Sequence, residues 1–80
     1  MEIKILFFGI TKDLIDNNSL QYNLKENASI KELKEALKLD YPSLKNIQEF
    51  AIAVNEEYAN DNIIIKEGDV IAIIPPVSGG

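Results

Sequence analysis

The residues with the clearest chemical potential are Pro75-Pro76-Val77-Ser78-Gly79-Gly80. They follow the apolar run Val70-Ile71-Ala72-Ile73-Ile74, which predicts a buried strand. Proline fixes φ and removes an N–H donor, so Pro75 and Pro76 end the ladder and send the chain outward as a stiff, extended arm. Val77 and Ser78 continue that arm, and Gly79 and Gly80 carry no Cβ. Six such residues reach roughly 20 Å when extended. The expected object is a thin probe with a carboxylate at its tip. It has two readings: an idle terminus or linker, as chain ends often are, or a reactive carboxylate that slides through a narrow channel in a partner enzyme.

An α-carboxylate has a pKa near about 3.5, so it is ionised at neutral pH and is a poor electrophile until activated. With an ATP-using partner its oxygen can attack the α-phosphate, giving an acyl-adenylate. A sulfur donor can then displace AMP and leave a thiocarboxylate at Gly80. Glycine suits the tip because a side chain would crowd both the channel and the acyl carbon.

Little else in the chain can do chemistry. There is no histidine and no cysteine, which excludes Ser–His and Cys–His nucleophile pairs and zinc sites built from the usual ligands. Glu56-Glu57 and Asp61, with Asp69 further on, fall in expected turns. They read as solvated turn acids, the alternative being a calcium site or a catalytic carboxylate pair. The chain is therefore not expected to be an enzyme by itself. No cofactor is expected on it, and any ATP is used by the activating partner.

Eighty residues with 46% hydrophobic content bound one small domain with one core. Its net charge is −5, from thirteen acids against eight bases, and every base is a lysine. That balance argues against nucleic acid, which needs a basic footprint. It suits a protein partner with a basic docking surface. Met1 leads straight into a strand pattern with no secretory signal, and no apolar run is long enough for a membrane span. The expectation is a cytoplasmic protein without a membrane segment.

The elements that must position the tail can be read along the chain. In Glu2 to Phe8, Ile3, Ile5 and Phe7 share one strand face, and Lys4, Leu6 and Phe8 the other. Phe8 is then either core or part of an exposed contact patch. Gly9 breaks the strand, Thr11 to Ile15 predicts one helical turn, and Asp16-Asn17-Asn18 a turn. Leu20, Tyr22 and Leu24 alternate as a second strand. Ser29 and Glu32 form a capping box ahead of a helix whose apolar stripe is Ile30, Leu33 and Leu37. Lys31, Glu32, Lys34, Glu35 and Lys38 are expected to form its solvated face. Pro42 places the helix end between Lys38 and Asp40. Phe50 to Val54 and Tyr58-Ala59 predict two more strands, Ile63 to Ile65 an irregular packed segment, and Val70 to Ile74 the last strand.

The resulting order is β-β-α-β-β-β. The most apolar strands, first and last, suit central parallel neighbours joined by a crossover that carries the helix. One helix on one face of a mixed sheet is the α+β arrangement of the ubiquitin-like β-grasp. The body would span residues 1–74 and the tail residues 75–80. Leu6, Phe8, Ala72 and Ile74 would share the face opposite the helix. An apolar cluster there usually marks a protein interface.

The chain resembles the MoaD-type small subunits of molybdopterin synthase over nearly its whole length. The resemblance rests on Ile3-Lys4-Ile5-Leu6-Phe7-Phe8, Ala53-Val54-Asn55, Gly68-Asp69-Val70 and above all Pro75-Pro76-Val77-Ser78-Gly79-Gly80. It implies that a MoeB-type activating enzyme adenylates Gly80, and that the tail inserts into a MoaE-type large subunit. There the thiocarboxylate would supply sulfur to a cyclic pyranopterin precursor and build the dithiolene. It also implies that Phe8, Ile74, Pro75, Pro76, Val77, Ser78 and Gly79 contact the partner. Ile73-Ile74 stands where the family often has an aromatic pair, so the patch relies on aliphatic packing with Phe8. Lys12 stands where the family often has arginine, and a lysine makes no bidentate contact. A carrier of thiamin (ThiS) or tRNA-thiolation type, and a ubiquitin-like module with an inert tail, are the alternatives.

Overall fold

The computed structural model of the protein describes residues 1–76. The elements in chain order are β1 (Glu2–Phe7), α1 (Ile10–Ile15), β2 (Ser19–Asn23) and α2 (Ile30–Asp40). Two 3₁₀ turns follow (Pro42–Leu44 and Ile47–Glu49), then β3 (Ala51–Val54), β4 (Glu57–Ala59) and β5 (Val70–Ile74). The strands form one mixed sheet in the order β2-β1-β5-β3-β4. β1 and β5 are its parallel pair, with Ile5 opposite Ile71 and Phe7 opposite Ile73. β2 runs antiparallel to β1, and β3 antiparallel to β5. This is the β-grasp arrangement expected from the strand order.

The period of two in the strands decides which face is buried. Ile3, Ile5, Phe7, Ile52, Ile71 and Ile73 all point to the helix side, where Ile30, Leu33 and Leu37 meet them. Leu44, Ile47 and Ile65 complete the same core. Each fully buried aliphatic side chain contributes about 1.5–3 kcal/mol. The core is therefore concentrated under β1 and β5, the strands that carry Phe8 and the tail.

α2 begins as its sequence requires. Ser29 Oγ accepts from the Glu32 backbone N–H at 3.2 Å, and Glu32 Oε1 accepts from the Ser29 N–H at 3.0 Å. The helix ends at Asp40, two residues before Pro42. The Tyr22 hydroxyl donates to Asp40, pinning that end to β2. Burial, reinforced by Asp40, raises the Tyr22 pKa well above the usual phenol range.

The segment expected to be irregular is a strap across the start of α2. Ile64 bridges Ser29, Ile65 N–H donates to Ala28 C=O at 2.8 Å, and Ile30 N–H donates to Ile63 C=O at 3.0 Å. The strap also corrects the expectation for one charge. The helix pattern places Lys34 on the solvated face, whereas Asp61, expected as a solvated turn acid, does stay half-exposed in its turn. Lys34 is instead buried, and its Nζ lies 3.0 Å from Asp61 Oδ1. Helix periodicity could not show this, because the cover over Lys34 comes from a loop distant in sequence.

Glu32 supplies a pH-dependent part of the stability. The Lys25 ammonium beside it, and then the Ser29 N–H, hold its carboxyl below the usual range. A depressed folded-state pKa contributes stability above the unfolded value of about 4.3 and loses it as pH falls through the lower, folded value. In Glu32→Gln, the fall in melting temperature below about pH 4.5 is expected to be shallower than in the wild type. Superimposable acid limbs would show that Glu32 contributes nothing.

Candidate functional site

The sheet face away from α2 is open. Leu6 lies level with Ala72, Ala53 with the same Ala72, and Ala51 with Ile74. Alanines at these positions keep the middle of the face low, while Leu6, Phe8 and Val70 stand around it. The result is a shallow groove of about 410 Å³, lined by Leu6, Phe8, Asn55, Glu56, Val70 and Ala72. Phe8 is 49% exposed, so the structure resolves its two readings in favour of the exposed patch.

The groove leads to the root of the tail. Phe8 lies one residue beyond β1, and its N–H donates to Ile73 C=O at 3.3 Å. Its C=O accepts from both the N–H and the hydroxyl of Thr11, a fully buried residue. Gly9 between them has φ 58° and ψ −138°, a conformation that a side chain opposes. A β-carbon on Gly9 would lie 3.2 Å from Pro75 Cγ. Pro75 thus leaves the sheet against a glycine seat fixed to β5 and anchored by Thr11. Ile74 and Pro75 are half-buried, and Pro76 is exposed.

Of the residues singled out from the sequence, Phe8 and Ile74 therefore lie on the open face, with Pro75 at its end. Val77, Ser78, Gly79 and Gly80 lie outside the described residues. Gly9, Asn55, Glu56 and Val70 were not singled out for the site. Gly9 carried a signal in its residue type, but its contact with Pro75 depends on the parallel pairing of β1 and β5. In the sequence Asn55 counts only within the resemblance stretch Ala53-Val54-Asn55, and Glu56 only as a turn acid or a member of a calcium or catalytic carboxylate site. It is the register of β3 against β5 that brings Asn55 level with Val70.

Asn55 is the far anchor of the groove. Its N–H donates to Val70 C=O at 2.8 Å, and its Oδ1 accepts from Val70 N–H at 3.0 Å. Its Nδ2 donates to Asp69 Oδ1 at 3.0 Å, while Asp69 Oδ2 accepts from Lys66 N–H at 2.8 Å. These bonds fix the β3–β4 turn to the start of β5. Among the described residues, no group of three or more acids could hold a metal ion, and no helix is long and apolar enough to cross a membrane. The site offers an apolar surface and a fixed exit for the tail.

Residues 5–80 match the family model described as the ThiS family. The chain is 35% identical over 81 residues to the molybdopterin synthase sulfur carrier subunit of Arabidopsis thaliana, covering 100% of this chain and 84% of that protein. It is 40% identical over 83 residues to the same-named subunit of Dictyostelium discoideum, covering 99% and 96%. Among solved structures, it is similar to a chain in the protein–protein complex of subunits 1 and 2 of molybdopterin-converting factor from Helicobacter pylori. That match has a TM-score of 0.69 and 33% identity over 100% of both chains. The Haloferax volcanii small archaeal modifier protein 1 shares the fold, with a TM-score of 0.84 at 18% identity over 95% of this chain and 98% of that one.

Proposed function

The chain belongs to the ThiS family, and from that footing we propose that it is the sulfur carrier subunit of a molybdopterin synthase. The observation that carries this reading is a relationship at 35–40% identity, over essentially the whole chain, to relatives of that description. The open apolar face beside the tail root supports it, because a carrier must be held by other proteins while its end is loaded and discharged.

In this reading the chain performs no acid–base chemistry of its own. A MoeB-type partner uses ATP: a Gly80 carboxylate oxygen attacks the α-phosphate and pyrophosphate leaves. A sulfur donor then attacks the acyl carbon, AMP leaves, and the terminus becomes a thiocarboxylate. Phe8, Ile74, Pro75 and Pro76 seat the body on a MoaE-type large subunit, and Val77, Ser78 and Gly79 thread the sulfur to its active site. The sulfur passes to cyclic pyranopterin monophosphate, and Gly80 returns to a carboxylate. Residues 1–74 act as the handle and residues 75–80 as the arm.

Partner choice tests this against a thiamin-type carrier. The chain is expected to form a stable complex with a molybdopterin synthase large subunit and none with a thiazole synthase, read by co-elution in size-exclusion chromatography. The reverse preference would overturn the assignment.

A further inference from the structure

We infer that Glu56 is a charge contact for a basic side chain on the large subunit, and that it fixes the orientation in which the carrier docks; the inference rests on the function proposed above. Asn55 and Glu56 form the β3–β4 turn with φ 50° and 74°. Two left-handed residues joining antiparallel strands make the tight hairpin turn in which glycine is favoured, above all at the second position. Glutamate there is strained, and nothing within the described structure offsets it. Among the described residues, Glu56 accepts no side-chain hydrogen bond and makes no ion pair. Asn55 is different: its side chain is bonded to Val70 and Asp69, which explains its place in the turn. A residue in unfavourable backbone geometry with no internal partner points to an external one.

Its position says what that partner is. Glu56 lines the apolar groove beside Asn55, the residue bonded to Val70 at the start of β5. The tail leaves at Ile74, roughly 13 Å further along β5 at about 3.3 Å per residue. A partner seated only on Phe8, Ile74, Pro75 and Pro76 holds the body at one end of the groove and leaves it free to pivot there. A second contact at the opposite end of the groove removes that freedom. On a protein of net charge −5, a carboxylate with no partner among the described residues, beside an apolar groove, is complementary to an arginine or lysine bordering an apolar surface.

Two variants separate charge from backbone geometry. Glu56→Gly relieves the turn and removes the charge. It is expected to raise the melting temperature by roughly 4 °C or more while weakening binding to the large subunit by about fivefold at low salt. Glu56→Gln removes the charge and keeps the strain, so it is expected to lose similar affinity with no thermal gain. In both, the deficit relative to wild type should shrink as salt rises. Affinities equal to wild type for both variants at low salt would overturn the inference and leave the proposed function standing. A wild-type chain that does not bind the large subunit at all would overturn both.

Discussion

Deleting Gly80 is expected to abolish sulfur transfer while the unfolding transition stays where it is in the intact chain. The body supplies the first half of this expectation. Among the described residues, the buried hydrophobic side chains run from Ile3 to Ile73 and the sheet ends at Ile74, so the core is assembled from side chains that precede the tail. The chemistry supplies the second half. Without Gly80 the terminal carboxylate belongs to Gly79 and sits about 3.3 Å short of its place. A displacement near 1 Å can cost about a hundredfold in rate, so a loss of at least that size follows. Dithiolene formation by the reconstituted synthase reads the first effect, and thermal unfolding followed by circular dichroism reads the second. A truncated chain that transfers sulfur at the normal rate would remove Gly80 from its role, and one that fails to fold would show the tail is part of the body.

Phe8→Ala should separate binding from stability in the same way. A half-exposed ring contributes little to the core, and its backbone anchors, Ile73 C=O and Thr11, survive the substitution. The expected stability cost is within about 1 kcal/mol. On the open face, however, Phe8 is the large aromatic side chain bordering a groove with an alanine floor, the kind of residue that dominates an interface. Loss of a contact of about 2 kcal/mol weakens binding to the large subunit roughly thirtyfold. Calorimetric titration measures that directly. Unchanged affinity would move the docking surface elsewhere on the molecule.

Most of the architecture was legible because local and global signals agree. The Ser29–Glu32 capping box and Pro42 bound α2, and alternation in β1 and β5 assigns both faces of the sheet. The losses share one cause. Lys34 looks solvated on a helical wheel, yet a strap some thirty residues away covers it and supplies Asp61. Gly9 looks like a strand breaker, yet its lack of a side chain matters because Pro75 passes beside it. Glu56 looks like a turn acid, and only the β3–β5 register places it at the groove. Contacts between segments distant in sequence, where no periodicity links the partners, leave no trace in a single chain.

The most direct test is the mass of the intact protein after incubation with a MoeB-type activating enzyme, ATP and a sulfur donor. The expected product is heavier by about 16 Da, one oxygen exchanged for sulfur, with fragmentation placing the change at Gly80 and reversal on addition of the large subunit and its pterin substrate. A chain that stays at its original mass under these conditions, or that gains sulfur anywhere other than its terminal glycine, would contradict the carrier role.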